Sequence, residues 1–276
     1  MAKHTIEYQN NPFFIGLNGL QLLFKRAQSV GIYAAILAGV GLLANTTSNI
    51  IDSLNRMNKP DISTSSKAIE ISTTPNSFDI GILVVALAFV LFIAILSMLI
   101  SALLYGVLEY TSAGLARDKN VTLGEAFAAT FKKLPGYVWV YIVMVVKVFL
   151  WTLLLIVPGI IMAVRYSLAG TVYFAEDKRG NAAVKRSAEL TKGAWFTTFA
   201  GTGLWNLMTF GIITWLVNPS ANAILYRQYK DVTDSGTNKP SAHWLSWLTF
   251  FGPIALFMIF FGFVIFLVLL VWIASR

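Results

Sequence analysis

The chain has 276 residues, of which 57% are hydrophobic and only 12% charged, with a mean hydropathy of +0.68. A water-soluble domain carries about 25% charged residues, so much of this surface is suited to lipid. A net charge of +8 fits basic loops held against an anionic cytoplasmic leaflet better than nucleic acid. With no cysteine, disulfides, thiolate metal sites and cysteine nucleophiles are excluded.

The first eleven residues are polar, and no small-residue cleavage site follows a compact apolar core, so a retained first span is expected rather than a cleaved signal. Residues 12–26 read as an interfacial helix, with Phe14, Leu17, Leu20 and Phe24 at helical spacing and Lys25-Arg26 closing it. Residues 27–51 carry no charge and suffice for a span of about 20 residues. A loop over 52–79, rich in Ser, Thr, Asn and Pro, is expected outside the membrane. Residues 80–108 are again uncharged and predict a second span ending at Glu109.

Thr122-Leu-Gly-Glu125 has the form of a capping box. It predicts a helix with Leu123, Phe127, Phe131 and Leu134 on one face, Lys132-Lys133 near its end, and Pro135-Gly136 as its stop. A third span is expected over 137–157, a turn at Pro158-Gly159, and a fourth span over 160–175. That last span is short, about 24 Å at 1.5 Å per residue. Residues 181–192 predict another basic amphipathic helix, with Gly193 in the stop position.

Residues 193–226 hold 34 uncharged positions, generous for one span and barely enough for two. One span gives six in all and a cytoplasmic C-terminus. Two, bent near Gly211, give seven and an external one, and the repeat described next favours that. A last span is predicted over 244–275, with Trp244, Trp247 and Trp272 where interfacial anchors belong.

Three times a basic amphipathic segment precedes apolar sequence, at Lys25-Arg26, at Lys132-Lys133 and at Lys185-Arg186 with Lys192. Three times that sequence exits through tyrosine and charge, near Glu109, Glu176 and Arg227. The expected fold is therefore all-α: a polytopic transmembrane bundle of six to seven spans, with three basic interfacial helices each preceding a helix hairpin. The modules run over 1–26 with 27–108, 122–175 and 181–231, followed by the 244–275 span, in one membrane domain. Four Lys/Arg in 109–133, five in 176–192 and three in 1–26 stand against three in 52–79 that four acids offset. The positive-inside rule then puts the N-terminus and the basic helices in the cytoplasm, in a multi-pass protein of the plasma membrane.

Lys147 falls midway along the third predicted span and Arg165 midway along the fourth, about 16 Å and 10 Å from the predicted turn. A cation at such depth costs at least ~2.5 kcal/mol and marks a partner or a pathway. One reading is a site for an anion or lipid phosphate, with Arg165 bidentate and Lys185, Arg186 and Lys192 as further lipid contacts. The other is structural: Arg165 pairs with helix carbonyls or Glu109, Lys147 snorkels, and the basic helices only fix topology. Asn206, Asn218, Ser220 and Asn222 either line a polar cavity or bond helix to helix.

No nucleophile–base constellation, phosphate-cradling glycine loop or carboxylate pair within a span is present, and His4 and His243 lie far apart outside the apolar runs. The expectation is a non-enzyme with no metal and no cofactor.

Pro158-Gly-Ile through Val164-Arg165-Tyr-Ser-Leu, then Glu176, then Ala182-Ala-Val-Lys-Arg186-Ser-Ala-Glu-Leu-Thr-Lys192-Gly193 resembles a large bacterial family of membrane domains. These accompany glycerophosphoryl diester phosphodiesterases, among relatives of uncharacterised function. Thr122-Leu-Gly-Glu-Ala-Phe and Ile224-Leu-Tyr226-Arg-Gln-Tyr are similar to its earlier segment and its last helix, so the resemblance covers about 100–231. It implies a polytopic helical protein of the cytoplasmic membrane with Tyr226 emerging inside. With no phosphodiesterase domain and no carboxylate-rich metal site, it implies no catalytic activity here, and 244–275 stands as an addition to the family pattern.

The expected function is that of a non-catalytic integral membrane protein, a scaffold or accessory factor in envelope or lipid processes that binds anionic lipid. The alternative is an oligomeric transporter or channel for small solutes or ions. Expected partners are membrane lipids, other membrane proteins or further copies of the chain, and no nucleic acid.

Overall fold

A computed structural model describes residues 8–25, 31, 80–211 and 213–275, and among these every regular element is an α-helix. The expected first span over 27–51 and the 52–79 loop lie outside the described residues. The chain divides into two units, Met1–Ile32 with Tyr105–Arg276, and Tyr33–Leu104. In the smaller unit the described part is the first two-thirds of helix α2 (Ile80–Ala116), where Phe89, Leu91, Phe92 and Met98 are exposed as lipid-facing residues would be.

In the larger unit, helix α1 runs Pro12–Phe24 and is capped by Asn11, whose side chain accepts from the Phe13 amide at 3.0 Å. The expected apolar face is not the one it buries. Ile15, Gly16, Gly19 and Leu23 are buried, while Phe14 and Phe24 are exposed. The glycines decide this. A Cβ on Gly19 would sit 2.7 Å from the Ser220 carbonyl, and one on Gly16 would strike the Trp205 ring, so only the bare face permits this approach.

The end of α2 continues through Glu109 to Ala116, with residues 106–109 and 111–116 buried. Helix α3 (Leu123–Leu154) starts at the expected cap, Thr122 accepting from the Glu125 amide at 3.2 Å, but it does not stop at Pro135-Gly136. The predicted amphipathic helix and third span are one helix with a proline inside. There the Tyr173 hydroxyl donates to the Lys133 carbonyl at 2.9 Å, and a Cβ on Gly136 would strike that hydroxyl. The helix runs on through the local stop signal, with Tyr173 packed against it there.

The next turn falls at Leu155, in extended conformation (φ −163°, ψ 145°), three residues before the Pro-Gly pair. Pro158 lies instead in the first turn of helix α4 (Ile156–Tyr166), where its missing N–H costs nothing. The predicted fourth span is broken: α4 ends at Tyr166 and helix α5 (Ala169–Glu176) follows, buried from Ala169 to Phe174. Helix α6 (Asn181–Leu190) buries Ala183, Val184, Ser187 and Leu190 and exposes Lys185 and Glu189. Gly193 beyond it has φ +79°.

Residues 193–226 fold as two helices, α7 (Trp195–Met208) and α8 (Thr214–Asp234), bent at Phe210-Gly211, where both residues have positive φ. Helix α9 (Trp244–Ala274) is capped by His243, whose ring nitrogen accepts from the Leu245 amide at 3.2 Å, and beyond Phe250 its large side chains are exposed. Among the described residues, four helical stretches are long and apolar enough to cross a membrane: Leu91–Ala116, Leu123–Leu154, Ile156–Glu176 and Trp244–Ala274.

Candidate functional site

Helix α4 leans against the start of α7, where the Trp195 ring N–H donates to the Ile161 carbonyl at 3.1 Å. Trp195, Phe196 and Phe199 then interleave with Trp247, Phe250 and Phe251 of α9. Between these helices lies an open groove of about 580 Å³. Its walls are Val157, Ile160, Ile161, Trp195, Phe196 and Phe250, and Arg165, Thr191 and Lys192 stand at one end. A second, polar pocket of about 460 Å³ is lined by Glu189, Lys192, Gly193, Thr233 and Lys239 among others. Lys192 and Gly193 line both.

Lys239 donates to the Lys192 carbonyl at 2.8 Å. Burial, helped by the neighbouring Lys192 charge, lowers its pKa below the usual lysine value. Arg165 is half-buried, and its guanidinium makes one long hydrogen bond, 3.4 Å to the Ala188 carbonyl. The apolar groove thus carries two cations, Arg165 and Lys192, and the adjoining polar pocket adds Lys239 together with the acid Glu189.

The other sequence candidates are placed differently. Lys147 bonds the Asn181 side chain and stands 5.9 Å from the centre of the Tyr166 ring, so it shares a level with Arg165 without lining the groove. Lys185 is exposed on α6. Arg186 is held by carboxylates: Glu176 at 3.2 Å, Asp234 at 2.6 Å and Glu189 at 3.6 Å. Tyr226 donates to the same Glu176 at 3.1 Å, so this arginine ties α5, α6 and α8 together.

The polar set on α7 and α8 does not gather in one place. Asn206 donates to Asn218 at 3.1 Å across the bend, and Ser220 bonds the carbonyls of Leu216 and Val217 in its own helix. Asn222 is buried, as is Glu109, which is 1% exposed and accepts from Thr171 at 2.6 Å. Neither cavity described above is lined by these four residues.

Glu109 in this buried setting was not foreseen, because it reads as the end of a span. The available signal was the mostly apolar run that continues past it to Ala116. The carboxyl sits over Gly170, where a Cβ would lie 3.1 Å from it and 3.2 Å from the Tyr141 hydroxyl. Among the described residues no group of three or more His, Cys, Asp or Glu could hold a metal ion.

The class these elements define is a helical membrane protein. Comparison with protein families, with curated proteins and with solved structures returns no match.

Proposed function

We propose that this chain is a non-catalytic integral protein of the cytoplasmic membrane that binds an anionic phospholipid. Its acyl chain lies in the groove between α4, α7 and α9, and its phosphate meets Arg165, Lys192 and Lys239. The observation that carries this reading is the joining of the apolar groove to the polar pocket through Lys192. Apolar walls supply affinity through buried area, and the cations select charge. The N-terminus and the basic helices face the cytoplasm, as the positive-inside rule requires, and the protein acts as a scaffold or accessory factor in envelope or lipid processes.

Native mass spectrometry of the purified protein in mixed phosphatidylglycerol and phosphatidylcholine tests this. Retention of phosphatidylglycerol, lost in the Arg165→Gln/Lys192→Gln variant, is expected. Equal retention of both lipids contradicts it. The competing reading, an oligomeric transporter or channel, predicts solute flux into liposomes that depends on the same two cations.

A further inference from the structure

We propose that the α3–α4 hairpin is a re-entrant wedge that enters and leaves the bilayer through one leaflet, the partner it fits being the hydrocarbon of that leaflet. This goes beyond lipid binding in the groove and does not depend on it.

The tip carries the first argument. Leu153, Leu154, Leu155, Ile156 and Val157 are 65–71% exposed, with no polar side chain among them. A hairpin that crossed the membrane would put this turn in water on the far side. Part of the turn's backbone is bonded within the hairpin, the arrangement a chain in hydrocarbon favours. The Leu155 amide donates to the Trp151 carbonyl at 3.1 Å, and the Gly159 amide donates to the Leu155 carbonyl at 3.3 Å. The Thr152 hydroxyl turns back to the Val148 carbonyl at 2.9 Å.

The base carries the second. Lys147, Tyr166, Arg165 and Asn181 lie at one level, joined by the Lys147–Asn181 bond and the 5.9 Å approach of Lys147 to the Tyr166 ring. Helix α6 crosses there, with Ser187 and Thr191 both bonded to the Arg165 carbonyl, and Trp195 is bonded one turn away. These are interfacial residue types. From Lys147 to Leu155 is eight residues and from Leu155 to Arg165 is ten, about 12–15 Å at helical rise. The hydrocarbon core is about 30 Å thick, so the tip stops near its middle.

The third argument comes from the lower half of the predicted fourth span. Residues 169–174 of α5 are buried against protein, so Ile156–Glu176 offers a lipid-type surface only in its first half. In this arrangement Lys147 and Arg165 stand at headgroup level, which removes the cost of placing two cations in mid-bilayer.

The absence of native cysteine makes the test direct. Single variants Leu155→Cys, Ile156→Cys and Lys185→Cys are reconstituted in sealed vesicles in mixed orientation and exposed to a membrane-impermeant maleimide. About half of the Lys185→Cys molecules should label, neither tip cysteine should, and all three should label in denaturing detergent. A nitroxide at position 155 should be relaxed by oxygen and not by a water-soluble nickel chelate. Labelling of either tip cysteine in sealed vesicles, relaxation by nickel, or no relaxation by oxygen overturns the proposal.

Discussion

Ser187 on α6 donates its hydroxyl to the Arg165 carbonyl at 2.8 Å and accepts the Leu168 amide at 3.2 Å, so one side chain serves both ends of the break between α4 and α5. Both backbone groups belong to a turn that cannot complete its own ladder. Ser187→Ala leaves the buried Leu168 amide without that acceptor, which costs about 1–3 kcal/mol. Thr191 still reaches the Arg165 carbonyl at 3.1 Å. Thermal unfolding in detergent should show a lower midpoint for Ser187→Ala, and a lower one again for Ser187→Ala/Thr191→Val. An unchanged midpoint in the double variant would mean that the break is held by other contacts.

Gly19→Ala should separate α1 from α8. The added carbon falls 2.7 Å from a main-chain carbonyl, which cannot rotate away as a side chain can. Overpacking of this kind costs about 1–3 kcal/mol. Gly124, with open space around its position, is the matched control, because alanine there meets nothing. Limited proteolysis should cut near the N-terminus faster in Gly19→Ala than in Gly124→Ala, and equal rates would show that α1 is not held by this contact.

The pH dependence of one exposed pair has a defined sign. The Lys133 ammonium, 2.6 Å away, holds the Asp177 carboxyl below the usual carboxylate range. A lowered folded-state pKa gives stability that is present above the unfolded value and is lost as pH falls through the folded one. Both side chains are solvent-accessible, which limits the effect to about 1 kcal/mol or less. Asp177 has φ 54°, a conformation asparagine also tolerates, so Asp177→Asn removes the charge with little strain. The variant should be less stable than the native chain at pH 7, with the gap closing below about pH 4. A gap that persists in acid would assign the loss to something other than this ion pair.

Much of the helical order was legible in the sequence because it rests on local chemistry. The Thr122 cap, the bend at Gly211, the stop at Gly193 and the final Trp244–Ala274 helix each follow from a residue type at a fixed position. The errors arose where a distant contact outweighed a local signal. Pro135 does not end α3, and the helix continues through it into the packing of Tyr173 against Gly136. The hairpin turns at Leu155 and not at Pro158, since proline is as well suited to a first helical turn as to a bend. The break after Tyr166 has no punctuating residue, and it depends on Ser187, about twenty residues further along.

The site was legible in part. Arg165 stands out in the sequence as a cation within an apolar run and Lys192 as part of a basic helix, and both line the groove; Lys147, the other cation within a span, does not. Lys239 was missed because it sits in a polar linker, where a lysine carries no signal. Arg186 reads in the sequence with the lipid-facing cations, but the fold brings Glu176 of α5 and Asp234 of α8 to it, beside its i+3 neighbour Glu189 on α6.

Trp195 is a wall of the groove and gives the most direct test of lipid binding there. Brominated phosphatidylglycerol should quench the protein's tryptophan fluorescence more strongly than brominated phosphatidylcholine. The difference should disappear in Trp195→Phe and shrink sharply in Arg165→Gln/Lys192→Gln. Equal quenching by the two lipids, or an unchanged difference without Trp195, would contradict the account.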